Sequence, residues 1–393
     1  MKKREHEYQL LLPTAIDSAP LAAGIVKWVE LETPSERPDL IDLFFDHVEA
    51  SFSGLPVQIS RIPGRDGCGG QMMLTYAPVN KNAKPALLMG HIDTVWAVGT
   101  IAKRPVRLED DRLYGPGIFD MKAGSYLGTE TLRRIAASGI LPPRPITVFL
   151  NSDEEIGSGT SSDLIKEICA QSAFVLVPEP AFEAPGTVVT ARKGWGMFKL
   201  KVFGRSAHAG GSLFEGRNAV CEVAKHILEI EALTQKEAKA TFNVGVVRGG
   251  TRANVVPAEA TIEIDMRVDD LETAERLTRE ILGRCAYGPD IRVEVEGGIN
   301  RVPFERSPAV AKIYEATREL ATELGLPMAE TKRGGVSDGN FAAALGLPVI
   351  DGLGCNGAGA HAVHEHILVS TIAPRAALLH GMLTAHSFQD KFL

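Results

Sequence analysis

Asp153, Glu154 and Glu155 stand side by side in Asn151-Ser152-Asp153-Glu154-Glu155-Ile156-Gly157, directly after Ile146-Thr147-Val148-Phe149-Leu150. That apolar, β-branched run has the length and bounds of a buried strand, so the acids fall where the strand ends. Adjacent carboxylates beside a buried strand repel one another unless a cation compensates them. Two of them can then take separate duties, one as metal ligand and one as proton carrier. Taken alone, such a triplet reads as a solvated acidic turn.

The same chemistry recurs elsewhere at the ends of apolar runs. Pro85-Ala86-Leu87-Leu88-Met89 leads into Gly90-His91-Ile92-Asp93-Thr94. There His91 and Asp93 are either a surface pair or a metal ligand with the carboxylate that orients it. Asp120 lies in the glycine-rich turn Gly115-Pro116-Gly117-Ile118-Phe119-Asp120, which opens a helix over 123–138; by default it is a helix cap. Phe174-Val175-Leu176-Val177 ends in Pro178-Glu179-Pro180, and Pro348-Val349-Ile350 leads to Gly357-Ala358-Gly359-Ala360-His361-Ala362-Val363-His364-Glu365. Strands separated by helices that present His, Asp or Glu at their carboxyl ends match the ligand-bearing edge of open α/β sheets. Two imidazoles and several carboxylates suit two borderline divalent ions about 3.5–4 Å apart that share one bridging carboxylate.

The elements that carry these residues divide the chain. Its 393 residues, 45% of them hydrophobic, exceed what one hydrophobic core usually serves. Helical apolar spacing over 22–29 and 39–52 brackets Glu32-Thr33-Pro34-Ser35, a loop expected to supply the N-cap of the second helix. After Arg192-Lys193-Gly194 the pattern turns to strict alternation, and the order becomes βαββαβ: strands near 198–202, 242–247, 260–268 and 291–295, helices over 218–232 and 271–284. This predicts an α+β, ferredoxin-like domain over 193–300 inserted into an α/β domain made of 1–192 and 301–393, with a mostly parallel sheet covered by helices on both faces. The α/β pattern resumes with a helix from Ser307-Pro308 to Leu324.

Charge and composition exclude several classes. A net charge of −7 with scattered basic residues gives no footprint for nucleic acid or an anionic membrane. Five cysteines without CxxC spacing argue against both a disulfide framework and a thiolate zinc site. The start, Met1-Lys2-Lys3-Arg4-Glu5-His6-Glu7, is not a signal peptide, since its bases are mixed with acids and Pro13 breaks the apolar run that follows. No run reaches the roughly 18 apolar residues of a membrane span, so a cytoplasmic protein with small-molecule or peptide partners is expected.

With these motifs together, the chain resembles the glutamate carboxypeptidase branch of the di-zinc peptidase and deacylase family, with its peptidase-dimerisation insert. The resemblance implies that Asp120 bridges two Zn²⁺ ions, with Co²⁺ or Mn²⁺ as substitutes. His91 and Glu179 would complete one site, and Glu155 and His361 the other. It makes Glu154 the general base for water attack on an amide, has Asp93 orient His91, and implies a cis peptide between Asp120 and Met121. His361 is chosen over His364 and His366 for its preceding glycine loop and for Glu365 four positions on.

In the insert, Ser206-Ala207-His208-Ala209-Gly210 resembles the segment whose His stabilises the oxyanion, often in the neighbouring subunit of a homodimer. Asn254, in Arg252-Ala253-Asn254-Val255-Val256-Pro257, and Arg267, in Asp265-Met266-Arg267, match positions that hold the substrate carboxylate. Adjacent antiparallel strands are expected to bring those two together; without the resemblance, Arg267 reads as one half of a cross-strand ion pair. Gly335, in Gly334-Gly335-Val336-Ser337-Asp338, resembles a substrate-side glycine loop. The implied activity is a carboxypeptidase acting on short peptides or N-acyl amino acids with a free C-terminal carboxylate, glutamate being the residue the resemblance suggests. An N-acyl-amino-acid deacylase (deacetylase or desuccinylase) and a non-catalytic metal-binding relative are the alternatives.

Overall fold

The computed structural model describes residues 10–78, 83–181, 184–236 and 238–392. The charged run Met1 to Glu7 lies outside them. Two units emerge, one of 1–190, 306–332 and 337–393, the other of 191–305 with 333–336.

In the larger unit the chain runs α1 (Ser18–Glu30), α2 (Pro38–Ser51), β1 (Gln58–Ile62), β2 (Gln71–Tyr76), β3 (Ala86–His91), α3 (Thr100–Lys103), β4 (Arg107–Glu109), β5 (Arg112–Tyr114), α4 (Ala123–Ser138), β6 (Ile146–Asn151), α5 (Ser162–Ala170), β7 (Phe174–Leu176) and β8 (Thr187–Arg192). Between β8 and the return of this unit lie β9 (Gly194–Phe203), α6 (Ala219–Lys236), β10 (Ala240–Gly249), β11 (Glu259–Val268), α7 (Leu271–Leu282) and β12 (Arg292–Arg301). The chain ends with α8 (Pro308–Glu323), β13 (Ala329–Arg333), α9 (Gly339–Ala344), β14 (Val349–Ile350), β15 (Gly357–Ala358), β16 (His366–Leu368), α10 (Ile372–Thr384) and α11 (His386–Gln389).

The main sheet has the order β1-β2-β6-β3-β7-β14. Strands β6, β3, β7 and β14 are mutually parallel, and every residue of β3, β6 and β7 is buried, as their unbroken apolar runs require. Hairpin β1–β2 adds an antiparallel flank against β6. Strand β1 has little signal in the sequence, because its mixed polar residues lie on a half-exposed strand. One helix group, α1, α4 and α10, packs together, while α5 and α9 form another. Among the described residues no helix is long and apolar enough to cross a membrane.

A difference from expectation appears before α2. Its N-cap is Arg37, with Pro38 in the first turn and no side-chain cap. Ser35 instead donates to Oδ2 of Asp93 at 2.7 Å, and Thr33 donates to the Ile92 carbonyl. Both hydroxyls are buried, and a partner at the end of β3 satisfies them better than a solvent-facing cap would.

The smaller unit is a four-stranded sheet of order β10-β11-β9-β12, antiparallel at each pairing. Phe198, Leu200, Val202, Ile262, Ile264 and Met266 face a core shared with Val223 and Ile230 of α6 and Leu277 and Ile281 of α7. The alternating residues of β9 and β11 are only partly buried, so one face of the sheet is covered by helices and the other is not.

Candidate metal centre

Strand ends and the loops beyond them in the larger unit bring together two sets of donors. His91, Asp120 and Glu179 offer ligand atoms all within 4.8 Å of one another, and so do Asp120, Glu155 and His361. His91 Nε2 lies 3.3 Å from Asp120 Oδ1 and 3.7 Å from Glu179 Oε1. His361 Nε2 lies 3.5 Å from the other oxygen, Asp120 Oδ2, and 3.0 Å from Glu155 Oε2. Asp120 thus turns one carboxylate oxygen toward each imidazole, which is the disposition of a bridging ligand.

The electrostatics fit cations at both sets. Burial works against a charged His91, yet the bond to Asp120, the bond to Asp93 and the charges of Asp93 and Glu154 hold its pKa well above the ordinary value. Glu155 is pushed up by burial and by the charges of Asp120 and Asp93, against the pull of the His361 bond. Three largely buried carboxylates drawn together around two imidazoles carry a charge that divalent ions would balance, and a mixed nitrogen and oxygen donor set suits zinc.

The local sequence explains each placement. His91 closes β3, and its Nδ1 sits 3.1 Å from the Asp93 carbonyl and 3.3 Å from Asp93 Oδ1, so Nδ1 carries the proton and Nε2 faces Asp120 and Glu179. Asp93 also accepts from the backbone N–H groups of Glu154, 3.3 Å, and Glu155, 3.1 Å. One buried carboxylate therefore orients the His91 ring and pins the turn holding the two glutamates. Asp153, first of the acidic triplet, is occupied within its own loop. It accepts from the Thr160 N–H and hydroxyl, both at 2.7 Å, and from the Ser161 hydroxyl.

The Asp120–Met121 peptide is cis. Behind it, a Cβ on Gly124 would stand 1.8 Å from the Pro178 carbonyl oxygen, so only glycine lets α4 approach the segment that carries Glu179. His361 holds a left-handed backbone, φ 60°, a cost for a non-glycine residue that the surrounding structure must offset. Its bond to Glu155 raises its pKa to about 9.

Several residues shape this site through contacts that the sequence alone does not signal. Glu365, fully buried, accepts from the N–H groups of Gly117 at 2.8 Å, Phe119 at 3.0 Å and Asp120 at 3.1 Å, and from Trp96 Nε1 at 2.9 Å. Burial pushes its carboxyl up to about 7 against those donors. Lys122, also buried, donates to the Leu31 carbonyl at the end of α1. At the end of β6, Asn151 donates to Asp338 Oδ2 at 2.8 Å, and Ser158 donates to Asp338 Oδ1 at 2.6 Å.

In the smaller unit, His208 Nδ1 accepts from the N–H groups of Gly210 and Gly211, both at 3.1 Å. Its proton therefore resides on Nε2, on an exposed ring that can donate. Ala209 N–H donates to the Asn254 carbonyl at 3.0 Å, which places Asn254 beside His208 in the turn before β11. Arg267 is at the other end of that strand, opposite Thr241 and Trp195. Eight steps from Glu259 to Arg267 (267 − 259) span roughly 27 Å at strand spacing. The expected convergence of Asn254 and Arg267 within one chain is therefore corrected: they flank opposite ends of β11. Arg267 is bidentate to Asp265 at 2.9 and 3.0 Å, and Trp195 Nε1 donates to the same carboxylate at 2.8 Å. Gly335 falls in this unit, where its carbonyl accepts from Arg192 at 3.2 Å and a Cβ would meet nothing within 4 Å.

Comparison with known proteins identifies the family. Residues 87–385 match the model of peptidase family M20/M25/M40. Carboxypeptidase G2 of Pseudomonas sp. (strain RS-16) is 30% identical over 372 residues, 93% of this chain and 89% of that protein. Succinyl-diaminopimelate desuccinylase of Delftia acidovorans is 28% identical over 277 residues, 67% of this chain and 71% of that protein. Among solved structures, aminopeptidase PepT from Bacillus cereus superposes with a TM-score of 0.74 at 20% identity, covering 94% of this chain and 98% of its own. The metallo-carboxypeptidase Sso-CP2 from Sulfolobus solfataricus superposes with a TM-score of 0.69 at 17% identity, covering 94% and 99%. With a matched family model over most of its length and paired donor sets around Asp120, this chain belongs to peptidase family M20/M25/M40 and is a metallohydrolase.

Proposed function

We propose that this chain hydrolyses the amide bond of short peptides or N-acyl amino acids that bear a free C-terminal carboxylate, glutamate among them. The observation that carries this reading is the pair of donor triads sharing Asp120, with Glu154 on the same turn as Glu155. His91, Asp120 and Glu179 would hold one zinc ion, and Asp120, Glu155 and His361 the other. Two ions bound there supply Lewis acidity for a carbonyl oxygen and acidify water. Glu154 takes the proton that the attacking water loses and returns it to the leaving nitrogen, so acid and amine products form with no net proton change. Asp93 acts through His91 and the Glu154 turn as a positioning residue.

Asn254 and Arg267 of one chain are too far apart for a single carboxylate, so both can hold it only if they come from two copies. The homodimer expected of the insert is thus part of the proposal, with His208 donating Nε2–H to the developing oxyanion. Mixing Glu154→Gln and His208→Ala proteins under subunit exchange tests this. Restored turnover supports a shared site, and none assigns His208 to its own chain.

A second reading, removal of an acyl group such as succinyl from an amino acid, is favoured by the desuccinylase relatives. Zinc-loaded protein assayed on dipeptides, N-acetyl, N-succinyl and N-benzoyl amino acids, each free and amidated at the carboxyl end, separates the two. Equal cleavage of amidated and free substrates would remove the carboxylate requirement from either reading.

A further inference from the structure

Away from the metal centre, helices α1, α2 and α4 of the larger unit enclose a cleft of about 350 Å³. Tyr126, Glu130, Arg133 and Arg134 follow at helical spacing on α4, so one face of that helix points into it. Lys27 enters from α1 and His47 from α2, over a floor that includes Trp28. We infer that this cleft is a binding site for a small organic oxyanion, a carboxylate or phosphate ester carried on a compact, partly apolar body.

Charge is what first points to an anion. Arg133 donates to both oxygens of Glu130, at 2.6 and 2.8 Å, and Arg134 donates to one of them at 2.7 Å. Two guanidinium groups therefore share one carboxylate. Glu130 is 7% exposed, so it is a fixed buried anchor holding both cations in place, while the arginine side chains remain 35% and 40% exposed at the cleft. Lys27 has its nearest carboxylate, Glu30, at 3.7 Å. Counting Lys27, Arg133 and Arg134 against Glu30 and Glu130 leaves one positive charge unmatched. The remaining guanidinium N–H groups keep the planar geometry that binds an oxyanion at two points.

Donors open to the cleft point the same way. Among the described residues the Tyr126 hydroxyl has no protein hydrogen-bond partner, and it lines the cleft where a ligand could take its O–H. Space for that hydroxyl exists because residue 24 is glycine: a Cβ there would fall 1.8 Å from it. Burial pushes the phenol up to about 12, so it remains a donor. His47 likewise has no partner among the described residues, and burial and Lys27 lower its pKa, leaving a neutral ring with one N–H to give. Cations held by a buried anchor, a phenol with a cleared space and an apolar floor describe a preorganised anion receptor.

Calorimetric titration of the full-length, metal-loaded protein at low salt with inorganic phosphate, phenyl phosphate and benzoate tests this. Phenyl phosphate or benzoate is expected to bind at submillimolar concentration and to weaken as salt rises. Arg134→Gln leaves the Arg133–Glu130 pair in place and should weaken binding about 10- to 100-fold. Tyr126→Phe removes a hydroxyl that bonds nothing in the fold and should weaken it about 5-fold. Neither variant should change peptide or acyl-amino-acid turnover. Preference for phenyl phosphate over benzoate would assign a phosphate ester, and the reverse a carboxylate. Binding abolished by metal removal and indifferent to both variants would place the anion at the metal centre and overturn the proposal. So would the absence of binding by every probe at about 10 mM, a concentration that would reveal even weak affinity.

Discussion

The backbone N–H of Asp120 donates to Oε1 of Glu365 at 3.1 Å, joining the residue shared by both donor triads to a buried carboxylate 245 positions later in the chain. The same carboxylate takes the Gly117 and Phe119 N–H groups, so the turn that aims Asp120 is organised around Glu365. Glu365→Ala should leave those buried N–H groups without an acceptor and lower metal affinity about 10- to 100-fold. Competition with a chromophoric chelator reads this directly. Unchanged affinity would make Glu365 a folding residue only.

Neighbouring glutamates should separate on substitution. Glu154→Gln is expected to retain metal while losing about 10²–10⁴-fold in kcat, the usual contribution of a general base. Glu155→Gln should lose metal from the set shared with His361. Metal content and turnover of the two variants decide the matter, and the opposite pattern would exchange their roles.

Removing metal should cost stability as well as activity, because the donors exist as sets only in the folded chain. At ~1,000-fold excess over Kd each ion adds about 4 kcal/mol, so chelation should lower the melting temperature by on the order of 10 °C. Calorimetry with and without chelator tests this; equal melting temperatures would mean that the triads do not bind ions tightly.

His380 on α10 supplies a pH effect away from the centre. It is 8% exposed, and burial lowers its pKa to about 4. The unfolded chain then binds the extra proton between roughly pH 6.5 and 4, so stability rises with pH across that window. The contribution is complete above about 6.5 and lost as pH falls toward 4, amounting to at most about 3 kcal/mol. His380→Leu should flatten the difference between denaturation midpoints at about pH 7 and about pH 4.5; a parallel shift at both values would refute it.

Most of the candidate metal centre is legible in the sequence because apolar runs ending in His, Asp or Glu mark the carboxyl edge of a parallel sheet. His91, Asp120, Glu155, Glu179 and His361 all lie at such ends or in the glycine-rich turns and loops beyond them. What escapes such a reading depends on distant partners. Ser35 carries a local cap signature, but its acceptor, Asp93, lies 58 positions away. Glu365 stands in plain view beside His361, yet its backbone donors are 245 to 248 positions upstream. Spacing places Asn254 and Arg267 on neighbouring segments without saying which end of β11 each occupies, and the pairing of Arg267 with Thr241 puts it at the far one.

The placement of His361 after the inserted unit also sets an order of events during synthesis. His91, Asp120 and Glu179 are all made at least 182 residues before it (361 − 179). At about 5–20 residues per second, a growing chain passes roughly 10–40 s with one triad's ligands present and the other without its imidazole. The inserted unit is translated within that interval, so the second triad can close only after an entire further domain has been made. A nascent chain that has not yet reached His361 therefore carries every donor of one candidate set but an incomplete second.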